Sequence, residues 1–150
     1  MKKQTIGKII LIMVFMTTFW FSSKPASESA GQSRGILVKM RLVTKEDIAL
    51  KTKKYLILST GIRKTAHFTL YFIGGIGAFL ATGSLKKSIL IVFMLGGIDE
   101  FHQYFIPGRG AQFTDVLIDT LGGSVGAKAT AKGQCTIDNV RCTIENRDTM

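Results

Sequence analysis

The chain has two histidines, His67 and His102, and each lies beside an apolar stretch among cations and carboxylates. On a helix, Arg63, His67 and Tyr71 fall at i, i+4 and i+8 and share a face, with Lys64 and Phe68 beside them. Asp99, His102 and Gln103 fall at i, i+3 and i+4, with Glu100 adjacent, and Arg109 and Asp115 follow after a Pro107-Gly108 stop. Three chemistries are open to this set. His67, His102, Asp99 and Glu100 offer metal ligands, but their spacing matches no dedicated motif such as H-E-x-x-H, and the neighbouring Arg and Lys would repel a cation. Neither a metal nor another cofactor is therefore assigned. His102 with Asp99 or Glu100 forms a candidate acid/base group, the carboxylate orienting the imidazole, although no nucleophile stands out. The third chemistry is anion binding, with Arg63, Lys64 and Arg109 as donors for phosphate or carboxylate and the acidic residues orienting them. The full candidate ligand set is Arg63, Lys64, His67, Asp99, Glu100, His102, Gln103, Arg109 and Asp115. A plainer reading is that Arg63 and Arg109 only neutralise Asp99 and Asp115 and staple helix ends together.

These residues need elements to hold them, and composition says what kind. The 150 residues carry a net charge of +10 with 20% charged side chains. Mean hydropathy is nevertheless +0.25, so the apolar residues must be concentrated in blocks. That pattern argues against an ordinary soluble globule, and 46% hydrophobic content argues against disorder. Nucleic-acid binding calls for a basic stripe on a soluble fold, whereas here the basic residues sit between apolar runs.

Four blocks stand out. Ile6 to Phe21 follows Lys2 and Lys3 and covers about 24 Å as a helix, close to the ~30 Å hydrocarbon core. Its basic start and the small Ser27 and Ser29 also fit a signal peptide, but Trp20-Phe21 fits an interfacial anchor better. Ala66 to Thr82 and Ser88 to Phe105 are joined by a tight turn holding Lys86 and Lys87, which predicts an antiparallel hairpin. Asp115 to Ala131 is diluted by Asp119, Lys128 and several glycines. The expectation is an all-α, small polytopic membrane helix bundle of about four short transmembrane helices, with the lipid bilayer as its first partner. Residues 1–127 would form the membrane domain and 128–150 a polar, largely unstructured tail. Cys135 and Cys142 in that tail should be reduced thiols if it is cytoplasmic. Gly74 with Ala78, Gly77 with Ala81, and Gly122 with Gly126 have the spacing that lets membrane helices approach closely.

Between the first two blocks, Ser22 to Gly35 reads as loop, and Ile36 to Val43 as a short strand or helix start. Thr44 and Asp47 form a capping-box signal for a basic amphipathic helix over Lys45 to Leu58, suited to anionic headgroups. Lysines at both ends of the first block's start, in the hairpin turn and after the fourth block would share one side, which should be cytoplasmic with the N-terminus. The polar set then faces outward, and helices running antiparallel bring its two halves together. Ionisable groups at membrane depth are costly and usually face one another inside a bundle.

Phe21-Ser22-Ser23-Lys24-Pro25, Arg63-Lys64-Thr65-Ala66-His67-Phe68, Asp99-Glu100-Phe101-His102-Gln103, Pro107-Gly108-Arg109 and Asp115-Val116-Leu117 occur in that order. Over about Ile6 to Ala127 this set resembles the VanZ-like membrane proteins. The resemblance implies a small multi-span protein of the bacterial cell envelope and an association with teicoplanin resistance in Gram-positive bacteria, with no particular reaction attached. A ligand in keeping with it would be an anionic lipid, a cell-wall precursor or a glycopeptide, and the alternatives are an intramembrane hydrolase or transferase acting on lipid headgroups, or a structural membrane subunit. This chain departs from the family in turning polar after Ala127, where a longer apolar helix is usual, and in carrying Lys24 where Gln is frequent.

Overall fold

A computed structural model describes the backbone of residues 2–148 and the side chains of residues 2–137. Its elements are six helices: α1 Lys2–Ser22, α2 Ala26–Lys39, α3 Lys45–Ala49, α4 Lys53–Thr82, α5 Leu85–Tyr104 and α6 Phe113–Asp148. The all-α reading holds, with no strand among the described residues. The expected hairpin is α4 and α5. Gly83 closes α4 in the left-handed conformation at φ 64°, and Ser88 donates to the Ser84 carbonyl at 2.7 Å to start α5.

Three local expectations are corrected. The segment read as loop and short strand is mostly α2, which begins directly after Pro25. Composition there favours a helix only weakly, but Leu37 is fully buried against Val43 and Tyr55, and that packing decides the outcome. The amphipathic helix expected over Lys45 to Leu58 is divided into the five-residue α3 and the start of α4, because Lys51 turns the backbone left-handed at φ 47°. Thr44 and Asp47 do form the reciprocal cap. The C-terminal segment read as unstructured continues α6 as helix to Asp148; after Pro107 the chain has no proline to stop it. Cys135 is a free, exposed thiol, and the side chain of Cys142 lies outside the described residues.

The cap carries a pH signature. Asp47 accepts from the Thr44 backbone N–H, the Thr44 hydroxyl and the Thr52 hydroxyl, and these bonds hold its carboxyl below the ordinary 3.8. A lowered folded-state value means that the cap contributes fully above pH 3.8 and is lost as pH falls below it. Amide exchange across residues 44–55 should therefore keep its protection, after correction for intrinsic rates, down to that pH and lose it in stronger acid.

α1, α4, α5 and α6 build the bundle. Gly7 of α1 lies against Gly77 and Ala81 of α4, and Val14 against Gly74, so these two helices run antiparallel. α6 runs parallel to α4, with Gly122 at Phe68, Gly123 at Gly75 and Gly126 at Phe72. A methyl group added to Gly75 would overlap the Gly123 backbone, and one on Gly126 would overlap the Phe72 carbonyl. The small-residue spacings seen in the sequence are thus the helix contacts themselves.

Burial is inverted relative to a soluble protein. Met13, Met16 and Leu121 stand 64%, 63% and 59% exposed, while Asp99, Glu100 and Asp119 are 2%, 4% and 1% exposed. Apolar flanks around a polar interior suit a lipid exterior. α1 and α4 are each long and apolar enough to cross a membrane.

Candidate functional site

The polar interior gathers at one end of the bundle. α4 brings Arg63, Lys64 and His67, the last turns of α5 bring Asp99, Glu100 and Gln103, the α5–α6 loop brings Arg109, and α6 brings Asp115 and Asp119. A cavity of about 100 Å³ opens among them, with Arg63, Lys64, His67, Glu100, Gln103, Arg109, Asp115 and Asp119 in its walls. The two polar sets expected to meet from opposite directions along the hairpin do so.

Asp99 is the anchor behind the cavity. Its Oδ2 accepts from Ser22 Oγ of α1 and from Gln103 Nε2, both at 2.9 Å. Gln103 Nε2 also donates to Ser22 Oγ at 3.2 Å, and its Oε1 accepts from Arg109 Nη1 at 3.1 Å. Arg109 Nη2 reaches the Phe21 carbonyl at 3.2 Å. One continuous network thereby joins α1, α5 and the loop after it. Across the cavity Lys64 Nζ pairs with Asp115 Oδ1 at 2.6 Å, and the Gln112 backbone N–H donates to Glu100 Oε2 at 2.9 Å.

The cations are crowded. Burial and the nearby Arg63 both lower the pKa of Arg109, with Asp99 and Glu100 opposing them. A guanidinium still keeps its proton in such a place, so the repulsion between the two arginines persists at neutral pH. Arg63 has no hydrogen-bonded or ion-paired partner among the described residues. Both arginines and His67 also line a second cavity, of about 250 Å³, whose other walls include Phe21, Ile36, Ile62, Ala66 and Leu70. A charged pocket and an apolar one therefore share a wall.

His102 is placed elsewhere than expected. Its ring packs against Phe19 of α1 with centroids 4.2 Å apart, and its buried Nδ1 has no hydrogen-bond partner. The imidazole beside Asp99 is that of His67, with Nδ1 at 3.9 Å from Oδ2. The candidate His102–Asp99 acid/base group does not form, and Glu100 is bonded to the Gln112 backbone instead. The remaining eight predicted residues gather at the cavity or in the network directly behind it.

Sequence reasoning missed Asp119 and Ser22. Asp119 Oδ2 lies 3.7 Å from His67 Nδ1, and its Cβ packs beside Gly96 of α5. The available signal was spacing: Asp119 is one helical turn after Asp115 and projects from the same face. Ser22 had a signal too, standing inside the first of the ordered motifs.

The VanZ/LLP1 family model matches residues 8–131. The chain belongs to that family. The match takes in α1 from Lys8 onward, all of α2 to α5, most of the bundle part of α6 and every residue of the polar cavity. With its apolar exterior and membrane-length helices, this is a VanZ-like membrane protein. Neither the curated proteins nor the solved structures gave a match to the chain.

Proposed function

We propose that this VanZ-family protein binds an anionic, lipid-linked component of the bacterial envelope and by doing so lowers susceptibility to glycopeptides such as teicoplanin. The observation that carries this reading is the wall shared by the two cavities: Arg63 and Arg109 face the polar one and the apolar one alike. A headgroup phosphate or carboxylate in the first would relieve the repulsion between the two guanidinium groups, and an acyl or prenyl chain would lie in the second. In this arrangement α1, α4, α5 and α6 cross the membrane with the polar end outward. The lysines at the start of α1 and α5 then stand on the cytoplasmic side with the N-terminus.

The test is expression in a susceptible Gram-positive host, with teicoplanin inhibition measured beside an Arg63→Ala variant confirmed to insert in the membrane. The chain should raise the inhibitory concentration several-fold and the variant should lose most of that rise. In detergent, phosphatidylglycerol should raise the melting temperature more than phosphatidylcholine, and Arg63→Ala should remove the difference. Equal susceptibility with and without the inserted wild-type chain counts against the resistance part of the reading. Equal stabilisation by the two lipids counts against the anion part.

A further inference from the structure

We infer that His67, Asp99 and Asp119 form a binding site for one divalent metal ion of the Zn²⁺ or Mn²⁺ class, held between α4, α5 and α6. One ligand atom from each of the three residues lies within 4.8 Å of the other two. His67 Nδ1 stands 3.7 Å from Asp119 Oδ2 and 3.9 Å from Asp99 Oδ2, so sub-ångström side-chain shifts would bring these atoms to the spacing of ligands about 2.1 Å from a common ion.

A second observation points to a ligand. Asp119 is 1% exposed, yet neither of its carboxylate oxygens has a hydrogen-bond partner. Asp99 Oδ1 is likewise without one, at 2% exposure. Elsewhere in the bundle end the carboxylates are served: Asp115 by Lys64 and Glu100 by the Gln112 backbone. Two buried carboxylates, three of whose oxygens accept no hydrogen bond and one of these three facing only the His67 imidazole, are costly unless something positive sits between them. A dication meets that need, and one imidazole nitrogen with two carboxylates neutralises it. The second layer is in place as well, since Ser22 and Gln103 donate to Asp99 Oδ2, the oxygen that faces His67, and fix the carboxylate with its Oδ1 left over for an ion.

Two of the three cations nearby are engaged elsewhere: Lys64 is committed to Asp115, and Arg109 is directed at Gln103 and the Phe21 carbonyl. Arg63 is unpaired among the described residues but also lines the apolar cavity. Sequence spacing alone gave no such site because its ligands come singly from three helices, one of them Asp119. The ion would sit at the boundary of the polar cavity, with room for an anion's oxygen as a further ligand. Metal binding does not depend on that anion, and the two are tested separately.

The experiment uses the full chain purified in detergent, stripped with EDTA, and re-equilibrated with Zn²⁺ or with Mn²⁺. Elemental analysis should find about one ion per chain in the wild type. Asp119→Asn and His67→Ala should each lose at least tenfold in affinity, while Glu28→Gln, which removes an exposed carboxylate, should keep it. EDTA should lower the melting temperature of the wild type and leave that of Asp119→Asn unchanged. Because a variant can fail by misfolding, the Mn²⁺-loaded wild type is also examined by pulsed EPR, where the site requires a nitrogen coupling from one imidazole. A folded wild type that takes up no metal, a Mn²⁺ signal without nitrogen coupling, or unchanged affinity in folded Asp119→Asn would each overturn the proposal.

Discussion

Gly75→Ala is expected to destabilise the bundle by roughly 1–3 kcal/mol or more, although the same change at Gly61 of α4 should stabilise it. A methyl group at Gly75 runs into the backbone of Gly123, which cannot move aside as a flexible side chain could. At Gly61 a methyl group meets nothing within 4 Å, so Gly61→Ala only gains the better helix propensity of alanine, up to ~1 kcal/mol. The two substitutions are chemically identical, lie in one helix, and should shift the detergent melting temperature in opposite directions. The Gly75 variant should also weaken anion and metal binding, because Asp115 and Asp119 ride on α6 and move with it. Equal shifts would mean that α4 and α6 do not approach as described.

The second large effect is at Gln103. Its side chain holds Asp99 and Ser22 on one side and Arg109 on the other. Leucine fills much the same volume but leaves the Asp99 carboxylate one donor short and Arg109 one acceptor short, at about 1–3 kcal/mol for each group left unpaired in a buried place. Melting of Gln103→Leu should drop accordingly. The loop carrying Arg109 should also become open to protease while α4 stays protected. In a double-mutant cycle, Arg109→Leu should cost clearly less in the Gln103→Leu background than alone, since the bond between them is already gone. Additive losses would show that the network is a coincidence of geometry and not an energetic unit.

How much of this could be seen in the residues alone depends on the residue. The motifs at Arg63–His67, Asp99–Gln103, Arg109 and Asp115 were legible because antiparallel helices and costly buried charge leave them one meeting place. His102 was not. Successive helical residues turn by about 100°, so Gln103 lies about 40° to one side of Asp99 and His102 about 60° to the other. Which of the two faces the cavity depends on where α1 packs, and Phe19 took the imidazole. Asp119 was overlooked for a different reason. Within an apolar block it looked like a flaw in a membrane span, whereas it points inward and meets His67 of α4. The helical character of α2 was hidden because it comes from the burial of Leu37 beneath distant Val43 and Tyr55, not from local preference.

The wiring of the bundle sets the order of its making. α4 and α6 are parallel partners, and all of α5 and its following loop lie between them in the chain. Their seam of glycines can close only after that intervening stretch has been synthesised. His67 and Asp99 thus wait for α6, which follows both of them in the chain, to deliver Asp119. A nascent chain halted before Phe113 would leave those two groups without their third companion, and is the form that cellular proteases should clear fastest.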